Sequence, residues 1–201
     1  GTTTAFRAGM AITAVSLVAT AVSGDFVALL VTRAVAGMAG AVVFIAGGVL
    51  ASRLAAGSTA PITVYFAGTG VGIVASGVAI PLLGEHWQAA WVGLGVLAGV
   101  ATAVNWTAAP VTGGTPAATG GQARVRALWR IALGYLLFAV GYITYITFLS
   151  AYLRARDAPT GEVVLTWTVL GLGVVVAPLL WSRPITAWPG TRALATLLVV
   201  L

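Results

Sequence analysis

Residues 29 to 48, LLVTRAVAGMAGAVVFIAGG, hold a single charge, Arg33. A guanidinium in an apolar run can serve chemistry or anchorage. It presents a rigid fork of donors that matches a carboxylate or phosphate, or it extends its stem towards the nearest aqueous interface and fixes the helix there. Arg33 lies seven residues beyond Phe26, about 10 Å below the adjacent surface at 1.5 Å per helical residue. Both readings stand at that depth. As a ligand-binding group it would meet an anionic group of a substrate, or a carboxylate on another span that controls a conformational step. A second constellation is aromatic. Tyr135, Phe138, Tyr142, Tyr145, Leu149 and Tyr152 fall within an arc of about 100° on a helix of 3.6 residues per turn, and they include four of the chain's five tyrosines. A phenol in hydrocarbon needs a partner, so this stripe faces protein or water rather than lipid. Interhelical hydrogen bonding and a cavity wall are both open, and Tyr135 and Tyr152, near the ends, also suit an interfacial belt. The candidate substrate-binding residues are therefore Arg33, Tyr135, Tyr142 and Tyr145.

Other chemistries lack their residues. The chain has no Cys and one His, His86, which leaves no metal cluster and no thiol nucleophile. Its acids are Asp25, Glu85, Asp157 and Glu162, and none lies at depth in a predicted span, Glu162 falling at the very start of one. An intramembrane enzyme would need a base, nucleophile or metal ligand at depth, so no enzyme, metal or cofactor is expected. Glu85 and His86 read as a solvated loop pair.

These residues must be carried by membrane-spanning helices. Hydrophobic residues make up 60% of the 201 and charged residues 7%, with a mean hydropathy of +1.05, against roughly 25% charged residues in a soluble domain. Crossing a hydrocarbon core of about 30 Å takes roughly 20 helical residues. Apolar runs of that length are read at about 6–22, 26–50, 61–83, 87–108, 128–153 and 162–182, with the start of another at 190–201. They lack the strict alternation of barrel strands, so the fold class is all-α, a polytopic transmembrane helix bundle. Asp25 is placed as an N-cap after the Ser23-Gly24 turn, Pro61 opens a helix, and Gly84-Glu85-His86 separates two spans. The long polar interval APVTGGTPAATGGQARVR, 109–126, predicts a flexible connection. It divides four spans in 1–108 from two and part of a third in 128–201, with 109–127 as linker. The sequence is expected to be a piece of a larger protein, truncated at both ends.

The net charge of +6 arises from ten Arg and no Lys. With the connections numbered alternately, Arg7, Arg53, Arg124, Arg126, Arg130, Arg183 and Arg192 fall on one side without an acid. All four acids fall on the other with Arg154 and Arg156. Positive-inside places the first side in the cytoplasm, so the basic charge sets topology and no nucleic-acid partner is expected. Trp87, Trp106, Trp129, Trp181 and Trp188 lie near span ends, as an aromatic belt requires. Small residues at four-residue spacing, Gly37 with Ala41, Gly68 with Gly72 and Ser76, and Gly95 with Gly99 and Ala103, predict helix-packing stripes. Pro81 and Pro178 each free a backbone carbonyl within a span and predict local kinks.

Arg33, Gly37 and Ala41 in VTRAVAGMAGA resemble the fourth-span motif of the major facilitator superfamily. GYITYITFLSAYLRA, 141–155, preceded by RVRALWR, resembles the seventh span of its YbfB/YjiJ-like branch. The resemblance covers essentially the whole chain as the third to ninth of twelve spans, with 109–126 linking the two six-helix halves. GTGVGIVASG, 68–77, lacks the Pro that the fifth-span antiporter motif places after Gly, so antiport is not carried over. The cytoplasmic motif between the second and third spans falls almost wholly before Gly1, with Arg7 as only its tail. The resemblance implies a secondary active transporter moving a small organic solute across the cytoplasmic membrane by alternating access about a midplane site. A non-transporting scaffold or receptor with the same bundle is the alternative. Expected partners are the lipid bilayer and the solute, with protons as a candidate coupling ion and a monomeric state. A proton carrier would come from other spans or from Asp25 or Glu85 at the outer ends.

Overall fold

A computed structural model describes residues 1–55, 58–84, 86–108, 129–188 and 196. Six helices carry them: α1 (Thr2–Val22), α2 (Phe26–Leu54), α3 (Ala60–Leu83), α4 (Trp87–Thr107), α5 (Trp129–Ala155) and α6 (Thr160–Ala187). All six include a stretch long and apolar enough to cross a membrane. The linker expected at 109–127 and the further span expected at 190–201 lie outside the described residues, apart from Thr196. The chain falls into two compact units, one from Gly1–Gly114 with Trp167–Leu201 and one from Thr115–Thr166.

The helix ends follow local chemistry. Asp25 caps α2 by accepting a hydrogen bond from the Ala28 amide at 2.9 Å, and Pro61 sits in the first turn of α3, where its missing N–H costs nothing. Pro81 and Pro178 both lie inside continuous helices. In the smaller unit, α5 closes with Ala158 N–H on Leu153 O and Asp157 N–H on Arg154 O, both at 3.0 Å. That pair of bonds is a Schellman closure, and Asp157 takes the left-handed position at φ +52° that glycine usually fills.

In the larger unit α1 packs against both α2 and α4. Apart from Leu50 on α2, the buried residues there are small: Gly9, Ala14, Ser16, Thr20 and Ala21 on α1, Ala36, Ala39, Ala46, Gly47 and Ala51 on α2, Ala90, Gly95 and Thr102 on α4. Lipid gives helices no hydrophobic reason to associate, so close backbone approach supplies the attraction. A Cβ on Gly9 would lie 2.9 Å from Val43 Cγ2, and one on Gly95 would lie 2.5 Å from Val18 Cγ2. Hydroxyls in this core bond to their own helix, as Thr20 Oγ1 does to Ser16 O at 2.8 Å and Thr102 Oγ1 to Ala98 O at 2.7 Å, which satisfies them without water.

Two of the expected packing stripes, Gly37 with Ala41 and Gly68 with Gly72, lie on open faces, and the third packs only at Gly95. A Cβ on Gly37, Gly68, Gly72 or Gly99 would meet nothing within 4 Å, and Ala41 and Ala103 are exposed. α2 packs through Ala36, Ala39, Ala46 and Gly47. α3 packs through Gly70 and Gly77, where a Cβ on Gly70 would lie 2.5 Å from Gly171 O and one on Gly77 would strike Trp167. Every second residue of GTGVG is glycine, so glycine occurs on two faces of α3, Gly68 and Gly72 four apart on one and Gly70 with Gly77 seven apart on the other. The partner, Gly171 with Val175 on α6, selects the face that Gly70 occupies.

Hydrogen bonds fix which helix ends lie together. Arg7 Nη2 donates to the carbonyls of Asn105 (3.1 Å) and Ala108 (2.7 Å), and Arg53 Nη2 donates to Thr2 Oγ1 (3.4 Å). The start of α1 therefore meets the ends of α2 and α4 at an arginine-bearing end, with Asp25 at the opposite end of α2. The absence of native Cys makes the sidedness testable. A cysteine at Ser58 is expected to be shielded from an impermeant thiol reagent in intact cells and one at Ala158 to react. Labelling of Ser58 from outside would contradict this orientation.

Candidate functional site

Arg33 occupies the third turn of α2 on an exposed face. Its guanidinium lies over the Trp91 ring of α4, 4.6 Å from the ring centre, a cation–π contact that orients the fork without neutralising it. Among the described residues no carboxylate pairs with Arg33. The packing face expected of Gly37 and Ala41 does not hold it, since both positions are open. Trp91 holds it instead.

Tyr135, Tyr142 and Tyr145 belong to α5 in the other unit, and the structure keeps them on one exposed face. Tyr135 and Phe138 have ring centres 6.4 Å apart, and Phe138 stacks on Tyr142 at 5.7 Å with an interplanar angle of 18°. The stripe is thus an aromatic ladder, within which offset stacking limits ring motion. Among the described residues the hydroxyls of Tyr135, Tyr142 and Tyr145 make no hydrogen bond. Tyr152 differs: its hydroxyl accepts from Arg156 Nη1 at 2.8 Å, which places it with the loop that follows α5.

Two groups escaped the reading of the sequence. Trp91 sits in an unremarkable apolar run, QAAWVG, and nothing local pairs it with a residue 58 positions earlier; the packing of both α2 and α4 against α1 brings the two side chains within reach. Tyr65, the tyrosine outside the stripe, reaches from α3 to the carbonyls of Val43 and Phe44 on α2 at 3.1 and 3.0 Å. Its ring covers Gly47, where a Cβ would collide with it. The signal was present in the glycine pair Gly47-Gly48, but no spacing rule assigns it a tyrosine.

Among the described residues, six helices able to cross a membrane, carrying at depth a cation that no described carboxylate pairs and a polar aromatic face, define a multi-pass membrane protein. The chain belongs to the family described as uncharacterised MFS-type transporter YbfB, whose sequence model matches residues 2–201. It is accordingly a transporter of the major facilitator type. Neither the curated proteins nor the solved structures gave a match.

Proposed function

We propose that the chain forms part of a secondary active transporter that moves a small organic solute across the cytoplasmic membrane by alternating access. Arg33 binds an anionic group of the solute, or a carboxylate on another span that governs the rocking step. Tyr135, Tyr142 and Tyr145 line the aqueous path and offer hydroxyls to the solute. The observation that carries this reading is the guanidinium of Arg33, lying about 10 Å from its helix start at 1.5 Å per residue, exposed, oriented by Trp91 and without a carboxylate among the described residues. A charge kept at such depth costs about 2.5–3.5 kcal/mol on insertion scales when it is central, and it is retained where it has a partner or a polar cavity.

Uptake and efflux of a panel of small organic anions, compared in cells with and without the intact gene product, test the proposal. Saturable movement of at least one solute supports it, whereas a stably inserted protein that moves none would favour the scaffold or receptor reading. The tyrosine face has its own test. Cysteines at Tyr142 and Tyr145 are expected to react with a small polar thiol reagent several times faster than one at Thr144, whose hydroxyl bonds back to Val140 O at 2.7 Å. Equal rates at all three positions would favour a packing role.

A further inference from the structure

At the arginine-bearing end, α1 to α4 leave a cavity of about 530 Å³, within the span of roughly 300–1,000 Å³ common to small-molecule sites. Phe6, Leu50, Leu54, Pro61 and Val64 give it apolar walls, and Arg7 lines it. The Arg7 guanidinium is held by the Asn105 and Ala108 carbonyls and lies 5.8 Å from the centre of the Trp106 ring. These contacts orient the cation without cancelling its charge, and its Nε is buried without a hydrogen-bond partner. Among the described residues no carboxylate lines the cavity. Arg53, bonded to Thr2, adds a second cation at the same end.

We propose that this cavity binds an anionic phospholipid, with the phosphate beside Arg7 and Arg53 and one acyl chain along the apolar wall between α2 and α3. Two properties of the cavity select that occupant together. Its charge is positive, with no carboxylate to offset it among the described residues, and a zwitterionic lipid balances it poorly. Its walls are apolar, and a free inorganic anion would leave them hydrated. Positive-inside assigns this end to the cytoplasmic leaflet, where anionic lipids concentrate and basic pockets between spans capture their headgroups.

Native mass spectrometry of the detergent-purified intact gene product, titrated with phosphatidylglycerol or phosphatidylcholine of identical acyl chains, tests this. Phosphatidylglycerol is expected to bind about five- to thirtyfold more tightly, the range for one or two basic contacts near the headgroup. Arg53→Gln, at an exposed side chain, should reduce that preference, and Arg7→Gln should reduce it further. Val64→Trp fills the apolar wall while leaving both arginines, and should weaken binding of both lipids. Equal affinity for the two lipids in the unsubstituted chain would overturn the proposal, as would unchanged binding by Val64→Trp. Displacement of phosphatidylglycerol by millimolar inorganic phosphate would also overturn it, by making the site one for a free anion.

Discussion

Arg33→Gln in the intact gene product is expected to lower solute transport by about 100-fold while the protein inserts and accumulates normally. That factor is the scale of a charged hydrogen bond lost from a desolvated site. Normal accumulation follows from the geometry, because the guanidinium contacts the face of Trp91 and no backbone group depends on it. Arg33→Lys separates charge from shape. It keeps the positive charge but loses the planar fork and most of the stacking on the indole, so transport should fall by a smaller factor. Trp91→Leu should resemble the Lys variant, since it frees the guanidinium to wander without removing it. Full transport with Gln at 33 would reduce this residue to a topological anchor.

The second large effect falls on the α3–α6 seam. Gly70→Ala and Gly171→Ala are each expected to destabilise the folded bundle by about 1–3 kcal/mol, the usual range for overpacking, and to reduce the amount of protein in the membrane. A Cβ at Gly70 would lie 2.5 Å from Gly171 O and 2.7 Å from Val175 N, and one at Gly171 would lie 2.8 Å from Gly70 O. These neighbours are backbone atoms, which cannot turn aside as a flexible side chain can. The controls are built into the same segment, because a Cβ at Gly68 or Gly72 meets nothing within 4 Å. Gly68→Ala and Gly72→Ala should therefore leave thermal unfolding in detergent unchanged or slightly raised, as alanine favours the helix. The effects at 70 and 171 should be non-additive when combined, since both substitutions crowd one contact. Equal unfolding temperatures across all four variants would contradict the seam.

The comparison between these two sites explains what the sequence discloses. Helix existence and span limits are legible because a run such as Phe26–Leu54 contains one polar interruption at depth, and its ends carry their own signals in Asp25 and Arg53. Helix faces are less legible. Glycine recurs on two sides of α3, and only the approach of Gly171 and Trp167 from α6 distinguishes Gly70 and Gly77 from Gly68 and Gly72. For the candidate site, Arg33 was conspicuous because a lone charge is expensive in an apolar run. Trp91 was invisible because tryptophan in such a run is ordinary until the fold brings a cation to its face. The tyrosine stripe was readable from periodicity alone, whereas its stacking through Phe138 depends on side-chain rotamers that periodicity does not set.

The central claim is alternating access, and solute counterflow tests it most directly. The intact gene product would be reconstituted in vesicles preloaded with an unlabelled anionic solute taken from the uptake panel, then diluted into a trace of the labelled form. A carrier that exposes one site to each side in turn exchanges inner for outer solute faster than it leaks, so labelled solute should accumulate transiently above its equilibrium level, and Arg33→Gln should abolish that overshoot. Monotonic equilibration without an overshoot, at the same rate in the unsubstituted and Arg33→Gln proteins, would contradict the account.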